Sequence, residues 1–271
     1  YKFRNISMVK NGAKASPGAH KADNILITQP KPESEKSPYF ELARKYNVQL
    51  TFHPFIKLEA IPAREFRRQK IDIATFTAVI FTSRNAIDHF FRTCDEMKVN
   101  ISQDTKYFCI TEAVALYLQK FILYRKRKVF YGADGTNKSM FDVINKHKEI
   151  EKFLYVCSEN QQDNDIVNWL KNNNCEFQLA FMYRSISNDV KPVMDSNAFD
   201  VICFFTPSGV KSLFDNYPKF KQNGTLIGAF GNNTIKAIEE AGLAVSIKAP
   251  APQAPSMIAA LDIYLSALKK K

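Results

Sequence analysis

At 271 residues, with 45% hydrophobic and 24% charged residues, the chain has the composition of a globular protein of two modest domains. Its net charge of +11 gathers in residues 1–23 (Lys2, Arg4, Lys10, Lys14 and Lys21 against Asp23), in Lys269, Lys270 and Lys271, and in a basic run at Arg125-Lys126-Arg127-Lys128. No aromatic-interleaved basic motif or zinc finger accompanies that charge, which argues against a nucleic-acid partner and leaves a mildly basic body suited to an acidic small molecule.

Residues 1–23, rich in Lys, Gly, Ala and Ser, read as a disordered tail. Residues 24–28 are a short apolar run and predict a buried strand. Pro30 and Pro32 break it, and Ser37-Pro38 starts a helix with proline at its first position. A strand at 47–52 and an extended piece at 55–59 are split by Pro54. A helix is expected over 65–73, a strand over 77–82, a helix over 85–97, a strand over 106–110 and a helix over 112–119. A strand at 128–131, closed by Gly132, and a helix at 138–145 complete the first half.

The second half repeats the grammar. A strand at 152–157 precedes a helix at 163–170, which Asn172-Asn173-Asn174 ends. Extended residues 176–183, a strand at 200–205, a helix at 209–214 and a strand at 226–230 follow. Gly231-Asn232-Asn233-Thr234 opens a helix that runs to Ala241, with Gly242 as its C-cap. A strand at 244–247 and a proline-rich loop lead to a last helix at 256–268, with Ser256 as N-cap. Strands alternating with helices of this length predict parallel sheets covered on both faces. The fold class is therefore α/β, as two flavodoxin-like or Rossmann-like units.

The five cysteines form no C-x-x-C pair, and Cys109, Cys157 and Cys203 lie in apolar strand-like runs, so reduced, buried thiols are expected. His20, His53, His89 and His147 show no metal-ligand spacing, and no metal is expected. No segment approaches the roughly 18 apolar residues of a membrane span, and the first residues lack the apolar core of a secretory leader. A cytoplasmic protein without membrane attachment is expected.

Nucleotide-binding signatures are missing: there is neither G-x-G-x-x-G nor G-x-x-x-x-G-K-[ST], and only 9 glycines occur. What remains are polar turns at the carboxyl ends of strands, where open α/β sheets bind ligands. Thr82-Ser83-Arg84-Asn85 and Thr206-Pro207-Ser208-Gly209 place a hydroxyl in the same register between an apolar run and an amphipathic helix. Ser158-Glu159-Asn160 and Gly231-Asn232-Asn233-Thr234 are the other two. Each is equally readable as an ordinary helix cap, but the set repeats in both halves and points to anion binding by helix starts. No nucleophile triad or carboxylate pair is present, so an enzyme of this kind works by holding and orienting its substrate.

At these residues the chain resembles the uroporphyrinogen-III synthase family. The marks are Ile80-Phe81-Thr82-Ser83 with Ala86, Phe204-Phe205-Thr206-Pro207-Ser208-Gly209-Val210, Phe230-Gly231 with Thr234, Glu239-Glu240-Ala241-Gly242-Leu243, and Ala249-Pro250-Ala251-Pro252 before Ser256 and Leu261. The resemblance covers about residues 24–268. It implies two α/β domains joined by a two-stranded linker: 24–52 with 187–271, 60–180, and linker strands at 53–59 and 181–186. It implies a monomeric, cofactor-free lyase that closes hydroxymethylbilane to uroporphyrinogen III, inverting the last pyrrole ring through an azafulvene and a spiro intermediate. The substrate is a polycarboxylate, which suits helix N-termini and hydroxyl caps.

The resemblance further implies Tyr183 as the acid for the departing hydroxyl. Thr82, Ser83, Ser158, Asn160, Thr206, Ser208, Gly209, Asn233 and Thr234 are the implied substrate-binding residues, lining a cleft to which each domain gives a wall. Two departures stand out. Thr28-Gln29-Pro30 lacks the arginine often found after the first strand, and Thr111-Glu112-Ala113-Val114-Ala115 lacks the glycine and the hydroxyl of the usual cap. The domain with Thr206 and Thr234 is thus expected to hold substrate more firmly than the one with Ser83. The alternative is a catalytically silent family member that binds a tetrapyrrole or another polyanion.

Overall fold

The computed structural model describes residues 22–161 and 164–269. Strands β1 (Asn24–Ile27) and β2 (Gln49–Phe52) flank helix α1 (Pro38–Tyr46). After β3 (Ile56–Ala60) come the single turn α2 (Ala63–Phe66), β4 (Ala78–Phe81), α3 (Arg84–Met97), β5 (Lys106–Cys109), α4 (Glu112–Tyr117) and β6 (Val129–Tyr131). Then follow α5 (Asn137–Asn145), β7 (Phe153–Ser158), α6 (Asp165–Asn172), β8 (Phe177–Ser187) and α7 (Lys191–Met194). Last are β9 (Val201–Phe204), α8 (Pro207–Asn216), β10 (Leu226–Phe230), α9 (Asn232–Glu240), β11 (Ile247–Ala249) and α10 (Met257–Lys269).

The chain divides into two compact units, one made of residues up to Phe55 and from Asp189 onward, the other of Ile56–Asn188. In the first, the sheet order is β11-β10-β9-β1-β2, parallel throughout. Side-chain alternation buries both faces. Ile25, Ile27, Val201 and Cys203 meet Leu42 of α1 and Met257, Leu261 and Leu265 of α10. Leu26, Ile202 and Phe204 meet Val210 and Leu213 of α8 and Ile238 of α9 on the other face.

The second unit has the order β3-β8-β7-β4-β5-β6, parallel except for the antiparallel β3–β8 edge pair. One face packs Val79, Phe81, Leu154 and Val156 against Ala86, Ile87 and Phe90 of α3 and Ala115 of α4. The other packs Ile80, Phe108, Phe153 and Tyr155 against Met140 and Ile144 of α5 and Leu170 of α6. A fully buried residue such as Leu154 contributes about 1.5–3 kcal/mol relative to exposure.

In each unit the strand order reverses beside the first strand of a βα pair: between β1 and β9, and between β4 and β7. The helices that follow these neighbouring strands leave for opposite faces, which opens a crevice at their carboxyl ends.

Several expectations need correction. The helix over 65–73 is instead α2 followed by 3₁₀ turns at Arg67–Gln69 and Ile73–Thr75. Lys70 takes the left-handed conformation (φ 55°) and Asp72 caps the second turn, so no continuous helix can pass through. The strand over 244–247 begins at Ile247, because Ala244 spends both backbone groups on the Gln222 side-chain amide (2.8 and 3.0 Å). The short α7 has no sequence signal beyond Pro192 at a helix start. Of the expected tail, residues 1–21 lie outside the described residues. Ala22 is buried and the Asp23 N–H donates to the Asp200 carboxylate at 2.9 Å. Asp163, the expected start of α6, also lies outside the described residues; Asn164 is the N-cap.

Candidate functional site

The sequence-derived site residues fall at the carboxyl ends of the strands, in two groups, one in each unit. In the unit of Ile56–Asn188, β4 is followed directly by Thr82 and Ser83. Ser83 is the N-cap of α3, its Oγ accepting from the Ala86 N–H at 3.1 Å. The N–H groups of Arg84 and Asn85 are left pointing out of the helix start.

Beside it, Tyr183 stands on β8 at an irregularity in the ladder. Cys157 pairs with Phe181 but Ser158 pairs with Tyr183, so Met182 is an extra residue. A bulge of this kind re-aims the side chain that follows it. As a result the consecutive residues Met182 and Tyr183 are both buried in the same core cluster. The Tyr183 phenol lies within electrostatic reach of the Ser83 side chain. Burial raises its pKa above the usual 10, and the Ser83 hydroxyl pulls it partly back. The phenol is therefore protonated throughout the physiological range.

A second phenol lies close by. Tyr155 of β7 is 2% exposed; burial pushes its pKa up to about 12, while the nearby Thr82 and Asn164 side chains pull it down. Ser158 and Asn160 serve each other: the buried Ser158 hydroxyl donates to Asn160 Oδ1 at 3.0 Å, and that oxygen also accepts from the Ser185 N–H at 2.7 Å. Their polar atoms tie the β7 turn to β8. Arg184, next to Tyr183, is held by Glu159 at 2.8 Å, by Glu65, and by Glu59 at 3.6 Å. Its charge is neutralised locally.

In the other unit, Thr206 is the N-cap of α8 and accepts from the Gly209 N–H at 3.1 Å. Pro207 has no N–H, so the free donors at this helix start are the Ser208 N–H and the hydroxyls of Thr206 and Ser208. Gly209 is buried and its amide is spent inside the cap. Thr28 joins β1 to β9 by donating to the Cys203 carbonyl at 2.8 Å.

The start of α9 is different. Gly231 (φ 89°) offers no side-chain cap, which leaves the N–H groups of Asn232, Asn233 and Thr234 to an outside acceptor. Asn233 is exposed there, whereas the Thr234 side chain is 2% exposed and packs inward. The matching turn of the second unit is closed. Thr111 Oγ1 takes the Val114 N–H at 3.2 Å, and Glu112, which accepts from the Tyr131 hydroxyl at 3.1 Å, puts a carboxylate in the first turn. Of the two turns, only the one at Gly231 is built to receive an anion.

Sequence reasoning misses Tyr155, Asn164 and His89. The His89 ring lies against that of Tyr183, centroids 4.9 Å apart and planes 17° from parallel. Histidine spacing speaks only to metal binding and gives no hint of this contact. A cavity of about 810 Å³ in the same unit runs along α3 and is lined among others by Phe91, Asp95, Ile101, Lys120, Phe121 and Arg125. None of the sequence-derived site residues lines it. Among the described residues, no three His, Cys, Asp or Glu side chains converge to hold a metal ion, and no helix is long and apolar enough to cross a membrane.

These features define a class: an α/β protein of two parallel-sheet units, with hydroxyl-capped helix starts at the switch points, an open helix start after β10, and a buried phenol beside one of the capped starts. Residues 37–259 match the family model of uroporphyrinogen-III synthase HemD. The chain belongs to that family of cofactor-free lyases, which cyclise hydroxymethylbilane in haem biosynthesis. Similar solved structures include uroporphyrinogen-III synthetase from Helicobacter pylori (TM-score 0.57, 18% identity, covering 90% of this chain and 99% of that one). Another is a mutant uroporphyrinogen III synthase from the extremely thermophilic bacterium Thermus thermophilus (TM-score 0.50, 16% identity, 92% and 100% coverage). At such identities the likeness is one of fold. No curated protein matches the sequence.

Proposed function

We propose that Tyr183 is the proton donor in this chain for the family's ring closure, and that the capped turns of both units bind the substrate carboxylates. The observation that carries this reading is the placement of Tyr183: a bulge delivers its phenol to the switch point of its sheet, beside Ser83 and against the His89 ring.

Hydroxymethylbilane loses its terminal hydroxyl. As that C–O bond breaks, the Tyr183 phenol gives its proton to the oxygen, and water leaves an azafulvene. The substituted carbon of the last pyrrole attacks the azafulvene to form the spiro intermediate, which opens and re-closes with that ring inverted. The ring proton released on re-aromatisation returns to the phenolate, so the net change is loss of one water. A phenol whose pKa burial has raised is a weak acid, so its help is chiefly a hydrogen bond that strengthens as the hydroxyl departs.

Substrate carboxylates are received by the N–H groups of Asn232, Asn233 and Thr234, by Thr206 and Ser208, and by the start of α3 with Thr82 and Ser83. Ser158 and Asn160 shape the turn beside Tyr183, and Gly209 closes the α8 cap. The five buried free thiols suit a reducing cytoplasm, and a monomer is sufficient for this assignment.

Assay of Tyr183→Phe with freshly generated hydroxymethylbilane tests the assignment. The expected result is a fall in kcat of about a hundredfold or more, with isomer I accumulating from spontaneous closure. A variant that keeps wild-type kcat removes Tyr183 from the mechanism.

A further inference from the structure

Two residues of α3 act on Tyr183 without having a part in the reaction described above. The guanidinium of Arg92 donates from Nη2 to the carbonyl of Met182, the bulged residue, at 2.9 Å, and to the carbonyl of Ile61 at 3.1 Å. Its Nη1 is anchored by Glu96 at 2.7 Å. Its Nε donates to His89 Nδ1 at 3.3 Å. An extra residue in a ladder leaves backbone groups without their regular partners, and a buried carbonyl needs a donor. The Met182 carbonyl has two, the Ile61 N–H at 3.0 Å and Arg92.

The contact with His89 fixes more than a distance. Arginine is only a donor, so Nδ1 must be the acceptor and the imidazole proton sits on Nε2. The neutral ring so defined is the one stacked on Tyr183. One side chain thus holds the backbone that aims the phenol and also the ring that packs against it.

We propose that Arg92 and His89 are positioning residues for Tyr183: Arg92 clamps the Met182 bulge and orients His89, and the His89 ring fixes the plane of the phenol. This rests on the reading of Tyr183 as the proton donor. Neither residue is asked to touch the substrate. A stacked aromatic pair is worth enough to hold one rotamer over its neighbours, and misplacement of a reacting group by a fraction of an ångström to one ångström is costly in rate.

The test uses the full chain labelled with ¹³Cζ-tyrosine, the Tyr183 line being assigned as the one lost in Tyr183→Phe. His89→Ala is expected to shift or broaden the Tyr183 line and to lower kcat roughly tenfold with KM little changed. His89→Phe, which restores a flat ring, is expected to recover most of both. Arg92→Lys, which keeps the charge but not the fork, is expected to disturb the Tyr183 line and kcat together. A purely structural role would lower the melting temperature and leave the line and kcat in place.

The proposal is overturned if His89→Ala keeps the wild-type line and kcat, or if His89→Phe is as impaired as His89→Ala. If Arg92→Lys does not fold by circular dichroism, the His89 pair of variants decides alone. If Tyr183→Phe keeps wild-type kcat, the proton-donor reading fails separately, and the response of the Tyr183 line to His89→Ala still decides whether the positioning holds.

Discussion

Ser158 and Tyr183 are register partners across the β7–β8 ladder, and Met182 is the residue left over between them and the preceding pair of Cys157 with Phe181. That single extra residue turns two successive side chains toward one core and brings a phenol to the end of β4. Everything assigned to Tyr183 follows from it.

Ser83 and Thr206 make the same cap but should differ in kinetics. Ser83→Ala and Thr206→Ala each remove a hydroxyl from a helix N-cap and should each cost about 1 kcal/mol in urea unfolding. Ser83→Ala also removes the hydroxyl that draws the Tyr183 pKa down. It should lower kcat and let the Tyr183 pKa rise further, since that hydroxyl favours the ionised form. Thr206→Ala should raise KM and leave kcat close to wild type. Identical kinetic profiles for the two variants would contradict the division of labour.

Stability should fall on mild acidification. Burial, aided by Arg92, holds the His89 pKa below its usual 6.5, with Asp88 opposing; burial and Lys106 do the same for His147, with Glu151 opposing. In both cases the folded chain favours the neutral ring, while the unfolded chain takes up a proton as the pH drops below 6.5. The stabilisation is therefore present above roughly pH 6.5 and is lost as the pH falls through that value toward the folded pKa. Glu96, whose pKa is lowered from 4.5 by the Arg92 hydrogen bond, weakens the fold only at lower pH. The melting temperature should decline between about pH 7.5 and 5.5, and less steeply in a His89→Phe, His147→Phe double variant. A wild-type curve that is flat over that window would refute this.

Two glycines offer a sharp contrast. A Cβ on Gly132 would lie 2.4 Å from Ser139 Oγ, 2.9 Å from the Met140 nitrogen and 3.2 Å from the Ile110 carbonyl oxygen. Two of those atoms are backbone, so Gly132→Ala should destabilise by about 1–3 kcal/mol. At Gly224 an added methyl meets nothing within 4 Å, and Gly224→Ala should be neutral or stabilise by up to about 1 kcal/mol. Urea denaturation of the two variants measures both.

Much of this is legible in the sequence because apolar runs and caps are local. The short strands β4 and β9, and the hydroxyl caps Ser83 and Thr206 after them, are written in a few adjacent residues. The open start at Gly231 follows from the residue at the cap position, whereas the turn at Thr111, read as lacking its hydroxyl, is closed by Thr111 itself. What cannot be read there depends on partners far apart in the chain. Gln222 occupies the backbone of Ala244 and so delays β11. The Met182 bulge exists only against the register of β7, and Arg92 reaches its carbonyl across 90 positions. The stacking of His89 on Tyr183, and the tie from Asn160 to the Ser185 N–H, have the same origin in packing.

The most direct measurement is the isomer composition of uroporphyrinogen formed by the purified chain from freshly generated hydroxymethylbilane, resolved chromatographically after oxidation to the porphyrins. The account predicts isomer III as the main product, formed at a rate proportional to protein concentration. Isomer I alone, at the rate seen without protein, would contradict it.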